Sequence, residues 1–145
     1  MKLVLQRVAN AAVYIEGQTV AKISQGLLIF FGVEKQDSSD KVNYLADKAL
    51  TLRIFQDDKG KMNFSCLDIS GEVLVISQFT LAGDCTKGKR PSFDNAAQPK
   101  EAKFLYRQFI EKVAESGLSV KEGKFGANMQ VELLNDGPVT FFLSR

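Results

Sequence analysis

The segment that most constrains the fold is LLIFFGV, residues 27–33, because it contains no polar side chain. A strand with one solvated face alternates apolar and polar residues, as KLVLQRV does at residues 2–8. An uninterrupted apolar run instead suits a strand that is covered on both faces. The sequence therefore predicts a strand that needs other elements packed against each of its faces.

Two segments with helical periodicity can provide part of this cover. The first follows the capping candidates of DSSD, residues 37–40, and ends near Arg53. The second begins at Pro99, which suits the first turn of a helix, and ends at Ser116–Gly117. Their apolar residues recur at i, i+3, i+4 and i+7 spacing, which predicts two buried faces. These are Val42, Leu45, Ala46, Ala49 and Leu50 in the first helix, and Ala102, Leu105, Tyr106, Phe109, Ile110 and Val113 in the second.

The other ordered segments are predicted to be strands. AAVYIEGQTVAKIS has the pattern of a hairpin that turns near Gly17–Gln18. RIFQDDKGKMNFS is predicted to form a strand, a turn at Asp57–Gly60 and a second strand. EVLVISQFTL, residues 72–81, and the closing segment from about Phe125 to Leu143 are further strand candidates.

These elements predict an α/β fold. We expect a single domain over residues 1–145, with a mixed, curled and partly barrel-like β-sheet and two packed helices. The sequence leaves the order of the strands open.

The absence of histidine excludes the commonest catalytic arrangements. With none in the chain, no Ser-His-Asp or Cys-His triad, histidine-ligated zinc site or histidine general base can form. Cys66 and Cys85 form no metal or redox motif, so we expect two free thiols. The aspartates match no cation-binding loop in their spacing. We therefore predict no metal and no cofactor.

Charge and hydropathy limit the partners and the location. The net charge is +2 at pH 7, so a nucleic acid would have to be held by a local patch of cations. The start of the chain, MKLVLQRVAN, is too polar for a signal peptide, and no stretch approaches membrane-spanning length. Together with free thiols, this predicts a cytoplasmic protein without a membrane partner.

Polar residues follow the very apolar strand EVLVI, at a strand end of the kind that often holds a site. Ser77, Gln78, Phe79 and Thr80 are candidates, because hydroxyls could orient a substrate and backbone N–H groups could stabilise an oxyanion. As a nucleophile, Thr80 or Ser77 would need a base, and no histidine can supply it. The alternative, which the tetrapeptide alone favours, is that both hydroxyls cap the strand end.

Two other segments are candidates for binding. Lys87, Lys89 and Arg90 place three cations within four residues, which could neutralise phosphates. A solvated surface loop is the commoner meaning of such a run. FGANM, residues 125–129, is predicted to be a strand whose internal glycine marks a bulge, or a close approach to a ligand or another strand.

NDGPVT, residues 135–140, places a proline inside the closing β-like segment. Proline has no N–H for a sheet ladder and belongs at edges, bulges or turns. Asn-Asp-Gly alone would serve as a hairpin turn. A hairpin turn alone therefore does not account for Pro138.

Taken together, these segments resemble the D-aminoacyl-tRNA deacylase family, also called D-tyrosyl-tRNA deacylases, almost from end to end. SQFTL at residues 77–81 and NDGPVT at 135–140 are the most specific motifs. The others are LQRV at 5–8, GLLIFFGVEKQD at 26–37, LRIFQDDKGKMNFS at 52–65, KGKRPSFDNAA at 87–97 and FGANMQV at 125–131. The resemblance implies hydrolysis of the ester bond of D-aminoacyl-tRNA, as chiral proofreading in translation quality control. It also implies that the tRNA is contacted at its 3′-terminal adenosine and acceptor stem.

The resemblance also implies how the wrong enantiomer is rejected. In the family, a homodimer inserts a Gly-Pro dipeptide with a cis bond, here Gly137–Pro138, into the partner's active site, and proline makes that geometry accessible. Its two carbonyls capture the substrate's α-amino group. A D side chain then points out of the pocket and an L side chain meets the wall. Achiral glycine would be poorly excluded, so glycyl-tRNA is a further expected substrate.

Residue roles follow from the same resemblance. The ester would bind at Ser77–Thr80, with N–H groups near Phe79 and Thr80 as oxyanion donors and the 2′-hydroxyl of the terminal adenosine helping the attack. A second proposal makes Thr80 a nucleophile. Arg7 would brace the Gly137–Pro138 segment, and Lys87, Lys89 and Arg90 would contact tRNA phosphates. The remaining expected site residues are Val139, Thr140, Met129, Ala127 and Phe125, with Asn135 in a supporting role.

Two other classes of function compete with this one. The lack of a classical catalytic group favours a non-catalytic RNA- or metabolite-binding module that uses the same pocket. A structural dimerisation domain is the third class. Stereoselective hydrolysis of D- over L-tyrosyl-tRNA would separate the deacylase from both.

Overall fold

The computed structural model describes all residues, 1–145. The longest strand that pairs on both sides is β1 (Lys2–Ile15), around which the sheet is built. The other elements in chain order are β2 (Gln18–Ile23), β3 (Gly26–Gly32), α1 (Ser39–Thr51), β4 (Phe55–Gln56), β5 (Met62–Phe64), β6 (Glu72–Ser77), a 3₁₀ turn (Phe79–Ala82), α2 (Pro99–Ala114), β7 (Val120–Glu122) and β8 (Gln130–Ser144).

The main sheet is mixed, with the strand order β2-β1-β3-β6-β7 and β8 paired to β1. β1 is antiparallel to β2, β3 and β8, whereas β3, β6 and β7 run parallel. The N-terminal half of β1 pairs with β3, its C-terminal half pairs with β2, and β8 follows almost its whole length. β2 and β7 stand at opposite ends of this order yet approach each other in space, so the sheet curls into a nearly barrel-shaped form. The predicted fold class is confirmed.

The apolar run of β3 is buried on both faces, as its sequence predicts. Leu27, Ile29 and Phe31 pack in a core cluster with residues of α1 and α2, and the alternate residue Leu28 packs in a second cluster with β1, β2 and β6. The predicted buried positions of α1 are all buried. In α2, Leu105, Tyr106, Phe109 and Val113 are buried, and Ala102 and Ile110 pack against the core with partial exposure.

Two local predictions are wrong, and one strand was missed. The strand predicted over 72–81 ends at Ser77, because Gln78 N donates to Phe31 O (2.8 Å) at the end of the ladder and the chain then turns. FGANM is a turn and not a strand, with Gly126 at a φ of +74°. The short strand β7 was not predicted, because three residues with two charged side chains carry no strand signal.

The turns and loops follow the sequence closely. The β1–β2 hairpin turns at Glu16 and Gly17, both at positive φ, and β4 and β5 form a separate two-stranded hairpin. α2 begins at Pro99 as predicted and ends at Ala114, shortly before the expected stop at Ser116–Gly117. No helix combines the length and the apolar character needed to cross a membrane.

Candidate functional site

A cavity with a volume of about 500 Å³ opens beside the C-terminal end of β6. It is bounded by the turn that follows β6, by the start of α2 and by the turn 125–129. Most of its lining is apolar, which suits a site that recognises shape and presents few polar groups. The lining residues are Phe31, Val33, Ile76, Ser77, Gln78, Phe79, Ala96, Ala97, Pro99, Ala102, Tyr106, Phe125, Gly126, Ala127, Asn128, Met129 and Val131.

The turn after β6 packs closely against β3 because position 32 is a glycine. A Cβ added at Gly32 would lie 2.8 Å from Leu81 Cβ and 2.9 Å from Gln78 O. The space left by this missing side chain therefore allows the chain to turn directly beside the sheet. Phe79, with 60% of its surface exposed, projects from the turn into the mouth of the cavity.

Two backbone N–H groups of this turn are free. Around them, Leu81 N donates to Gln78 O (3.2 Å) and Gly83 N donates to Thr80 O (3.0 Å), but Phe79 N and Thr80 N donate to no protein acceptor. Free, fixed N–H groups next to a cavity can bind a developing oxyanion without reorganisation. The turn therefore offers electrostatic stabilisation from the main chain.

The side chains of the same turn offer no nucleophile with a base. Gln78 Nε2 donates to Thr80 Oγ1 at 2.6 Å, and an amide donor cannot accept the hydroxyl proton. The hydroxyls of Ser77 and Thr80 make no hydrogen bond to the backbone, so the alternative in which both cap the strand end is wrong. Thr80 does not line the cavity, whereas Ser77, Gln78 and Phe79 do.

The turn 125–129 forms another wall of the cavity. The rings of Phe125 and Tyr106 lie 5.8 Å apart, centroid to centroid. Gly123 N donates to Val75 O (2.9 Å), and a Cβ at Gly123 would lie 2.8 Å from Met129 Sδ. Glycine at position 123 therefore makes room for Met129 in the cavity wall, and Phe125, Ala127 and Met129 all line it.

Tyr106 is a lining residue that sequence analysis placed only in the core. Its hydroxyl donates to Val75 O at 2.8 Å, and burial raises the pKa of the phenol well above its usual value. The hydroxyl is therefore a fixed neutral donor and takes no part in proton transfer near neutral pH. A tyrosine in a helical apolar stripe gives no sequence signal that separates lining from core.

The cationic loop is exposed and joined to the cavity through aromatic packing. Asp84 and Ser92 close it with two backbone hydrogen bonds of 2.7 and 2.9 Å. Phe93 packs on Phe79 with ring centroids 5.0 Å apart. Lys87, Lys89 and Arg90 lie at the exposed tip, and none of them lines the cavity.

The proline of β8 lies in a wide bulge. Thr140 pairs with Gln6 and Asn135 pairs with Val8, so that residues 136–139 all lie opposite the single residue Arg7. The Gly137–Pro138 peptide bond is cis, and Gly137 has a φ of +131°. Gly137 and Pro138 are exposed, whereas the next residue, Val139, is buried in the main core.

Arg7 holds this bulge from beneath. Its side chain is buried, and Nε donates to Asp136 O (3.0 Å) while lying 3.1 Å from Asp136 Oδ2. Nη1 donates to Ile54 O at 2.5 Å, which ties the bulge to the chain next to β4. Nη2 lies 2.9 Å from the position that a Cβ on Gly137 would occupy. Arg7 therefore fixes the bulge through several contacts at once.

Asn135 closes the bulge from its ends. Its Oδ1 accepts from Val139 N (2.7 Å), and its Nδ2 donates to Thr140 Oγ1 (2.9 Å), which also accepts from Gln6 Nε2 (3.2 Å). These bonds replace ladder bonds that the bulge cannot make. The segment is exposed but well braced.

The structure thus divides the predicted site residues into two groups. Ser77, Gln78, Phe79, Phe125, Ala127 and Met129 meet at the cavity, whereas Arg7, Asn135 and the segment 137–140 meet at the bulge. None of residues 135–140 lines the cavity of its own chain. No group of three or more acidic or cysteine side chains is close enough together to hold a metal ion.

Comparisons with known proteins agree across the whole chain. A family model described as D-Tyr-tRNA(Tyr) deacylase matches residues 4–144. The chain is 54% identical over 144 residues to a D-aminoacyl-tRNA deacylase of Thermodesulfovibrio yellowstonii, with 99% of each chain covered. It is 56% identical over 143 residues to a D-aminoacyl-tRNA deacylase of Thermotoga petrophila, with 99% of this chain and 96% of that one covered.

A solved structure has nearly the same fold. The structure titled c-Myc DNA Unwinding Element Binding Protein matches with a TM-score of 0.94 and 38% sequence identity. The match covers 100% of this chain and 99% of that one. The curled sheet with two helices is therefore found in a homologue along its full length.

Proposed function

The chain belongs to the D-Tyr-tRNA(Tyr) deacylase family, and from this premise we propose how its two groups of site residues act together. Its activity is that of the family: it is a hydrolase that cleaves D-aminoacyl-tRNA. The proposal concerns the finer points, which are the oxyanion site, the chiral filter, the origin of the attacking group and the dimer.

The scissile ester binds at the mouth of the cavity, beside the turn that follows β6. The observation that supports this is the pair of unbonded N–H groups at Phe79 and Thr80 next to an apolar recess. Such donors stabilise the tetrahedral oxyanion, and in a site that excludes water one donor can be worth about 100-fold or more in rate.

The attack is assisted by the RNA itself. Thr80 Oγ1 faces the donor Nε2 of Gln78, and the chain has no histidine to act as its base. The 2′-hydroxyl of the terminal adenosine lies beside the ester in any aminoacyl-tRNA, so it can orient a water molecule for attack on the ester carbon without a protein base. The acyl C–O bond to the ribose then breaks, the ribose oxygen takes the proton of the water, and free D-amino acid and tRNA leave. An aminoacyl ester is already reactive, and oxyanion stabilisation with positioning then suffices.

The chiral filter is the bulge of a second copy of the chain. This is supported by Gly137 and Pro138 being exposed, well braced and absent from the cavity of their own chain. Their carbonyls would accept hydrogen bonds from the substrate's α-amino group. With the amine and the ester both fixed, a D side chain leaves the pocket and an L side chain collides with its wall.

β8 supports assembly into a homodimer. It pairs only with β1, and Leu134 and Phe142 are exposed large apolar side chains on this strand. A two-fold dimer would use the same surface on both subunits and complete two sites at once. Lys87, Lys89 and Arg90 then contact tRNA phosphates, and the enzyme works in the cytoplasm, where its substrate is made.

Stereoselective hydrolysis tests this function directly. Purified protein is incubated with D-tyrosyl-, L-tyrosyl- and glycyl-tRNA, and the remaining ester is measured over time. We expect fast loss of the D ester, measurable loss of the glycyl ester and little loss of the L ester beyond the protein-free rate. Equal protection of all three esters would indicate a binding protein, and equal hydrolysis of both tyrosyl enantiomers would remove the chiral filter.

The contribution from a second subunit has its own test. Gly137→Ala distorts the bulge and leaves the cavity intact, whereas Ala127→Trp fills the cavity and leaves the bulge intact. If the bulge acts in the partner's cavity, mixed dimers regain one complete site. Co-assembled in equal amounts, the two inactive variants should then recover about a quarter of wild-type activity, since half of random dimers are mixed. If dimers shown to be mixed recovered no activity, the bulge would act with the cavity of its own chain and not with that of its partner.

A further inference from the structure

One exposed face of α2 carries cations at regular helical spacing. Lys100, Lys103, Phe104 and Arg107 occupy positions i, i+3, i+4 and i+7, which lie on one side of a helix. All four are exposed, and Phe104 is 61% exposed. We name this face the α2 basic stripe.

The α2 basic stripe lies next to the face of the same helix that lines the cavity. Pro99, Ala102 and Tyr106 line the cavity, and each is followed directly in the chain by a cation of the stripe. Successive residues of a helix are about 100° apart around its axis, so the two faces adjoin. A ligand that fills the cavity and extends along α2 therefore meets the stripe first.

Two of the three cations of the stripe are free of ion pairs within the chain. Lys100 and Lys103 form no ion pair within the chain, whereas Arg107 Nη1 contacts Glu122 Oε1 at 2.8 Å. Lys121 and Lys124, in and after the neighbouring strand β7, are also exposed and unpaired. In a chain with a net charge of only +2, this is a local concentration of positive charge beside the cavity.

The dimensions of the stripe fit a nucleic-acid backbone. From Lys100 to Arg107 the helix advances about 10 Å, at about 1.5 Å per residue. One strand of duplex DNA presents a phosphate about every 3.4 Å of its axis, and the spacing in duplex RNA is somewhat shorter, so the stripe spans about three or four phosphates. Phe104 adds an apolar surface on which a ribose can pack.

We propose that the α2 basic stripe binds the backbone of the double-helical acceptor stem of the tRNA while the aminoacylated end occupies the cavity. This inference rests on the proposed function, because it assigns the part of that substrate that lies outside the cavity. The stripe differs from the cationic loop at residues 87–90 in being carried by a helix whose other face is core. It therefore holds the stem in a fixed direction relative to the ester.

The test compares two double variants that remove the same charge. Lys100→Ala/Lys103→Ala alters the stripe, and Lys22→Ala/Lys48→Ala removes two exposed lysines of β2 and α1. Each protein is assayed on D-tyrosyl-tRNA and on D-tyrosyl-adenosine, which has no stem. The readouts are the ratio of kcat/KM for the two substrates and its dependence on salt.

We expect the stripe variant to lose most of its preference, in kcat/KM, for D-tyrosyl-tRNA over D-tyrosyl-adenosine. Two lost phosphate contacts make the slope of log kcat/KM against log salt shallower by about 1.8, a change of about 12-fold between about 50 and 200 mM salt. At low salt, the ratio of kcat/KM for tRNA over adenosine should fall about 10-fold, while the control variant keeps the wild-type ratio and slope.

Other outcomes would overturn the inference. An unchanged ratio and slope in the stripe variant would exclude stem binding, and so would an equal loss on both substrates, which places the effect inside the cavity. If the stripe variant lost binding to phosphatidylserine vesicles with an unchanged tRNA ratio, the stripe would be a membrane surface. A wild-type protein that hydrolysed neither substrate would refute the proposed function itself, whereas the results above leave that function intact.

Discussion

The cavity and the bulge at Gly137–Pro138 are formed by opposite means. The cavity is a recess positioned by packing: the missing Cβ atoms of Gly32 and Gly123 allow the turn after β6 and Met129 to approach the sheet. The bulge is a projection positioned by hydrogen bonds, with Arg7 below it and Asn135 at its ends. Neither region contains a side chain with the partners of a classical nucleophile or general base.

The difference explains how a chain without histidine can be selective and catalytic. The recess offers shape and free N–H donors, which match the oxyanion that forms from the ester. The projection offers carbonyl acceptors, which match the α-amino group of the same substrate. The two regions do not meet within one chain. If the proposed dimer is correct, each subunit contributes one recess and one projection, so catalysis requires assembly.

The largest effect is expected for Gly137→Ala. Gly137 has a φ of +131°, and a Cβ there would lie 2.7 Å from Val139 Cγ2 and 2.9 Å from Arg7 Nη2. The bulge must therefore shift, and a misplacement of this size can lower kcat/KM by about 100-fold. Measured rates on both tyrosyl enantiomers check the effect on turnover and on chiral rejection.

Gly60→Ala is the matched control for that variant. Gly60 also has a positive φ, of +73°, but nothing lies within 4 Å of an added Cβ. It should share the backbone strain and keep the wild-type rates. Unchanged kinetics of Gly137→Ala on both enantiomers would contradict the placement of the filter at the bulge.

The next effect is expected for Arg7→Ala, which removes the support under the bulge. Ile54 O loses its buried charged donor, and Asp136 loses both a hydrogen bond and an ion pair. We expect a loss of about 2–3 kcal/mol in the free energy of unfolding, together with lower activity. Denaturant unfolding measures the first and D-tyrosyl-tRNA hydrolysis the second.

Arg53→Ala controls for the loss of an arginine as such. Arg53 is exposed and donates only to Asn63 O (2.7 Å), so its removal should change stability by no more than about 0.5 kcal/mol. Arg7→Lys keeps the charge but cannot reach Ile54 O and Asp136 O together, and should lie between wild type and Arg7→Ala. Full activity in Arg7→Ala would show that the bulge does not need this support.

Features set by local sequence could be predicted, whereas features set by the packing of distant residues could not. Helices α1 and α2, the two-faced burial of β3 and the hairpins follow from local periodicity and turn residues, and these predictions are confirmed. SQFTL and NDGPVT could be singled out because polar and proline residues interrupt apolar strands there. The wrong assignments at 78–81 and 125–129 are turns that pack against residues distant in the chain, Gly32 for the first and Tyr106 for the second, which a local window does not contain.

The cavity itself was the least predictable feature. Its lining combines residues from β3, β6, α2 and the turn 125–129, which only the strand order brings together. Tyr106 and Ala102 have the same helical spacing as the core residues beside them, so their contact with the cavity has no sequence signal. Arg7 could be named only because LQRV resembles a motif of the family, since a polar residue in an alternating strand carries no signal of its own.

A smaller effect is expected for Thr80→Ala, which tests the recess. Its hydroxyl has only the donor Gln78 Nε2 as a partner, and the backbone N–H groups proposed as oxyanion donors remain. Activity should fall by less than about 10-fold, whereas loss of a true nucleophile costs roughly 1,000-fold or more. A loss of the larger size with unchanged tRNA binding would favour the covalent route through Thr80.

The smallest effect is expected for Tyr106→Phe, because Val75 O keeps its bond from Gly123 N when the phenol is removed. Stability below pH 9 should fall by no more than about 1 kcal/mol.

Burial raises the pKa of Tyr106 above the ordinary value of 10.0, so the folded protein holds a proton that the unfolded chain releases. The contribution of this group is complete below pH 10 and is lost as the pH rises from there towards the folded pKa, with a slope of about 1.4 kcal/mol per pH unit. Tyr106→Phe should therefore lose less stability than wild type between pH 10 and 11 in denaturant titrations, and the exposed Tyr44→Phe should behave as wild type. If instead the pH dependence of the hydrolysis rate of Tyr106→Phe differed from that of wild type between pH 6 and 8, Tyr106 would be a catalytic side chain that titrates in the recess. The conclusion that the recess supplies only shape and main-chain donors would then be wrong.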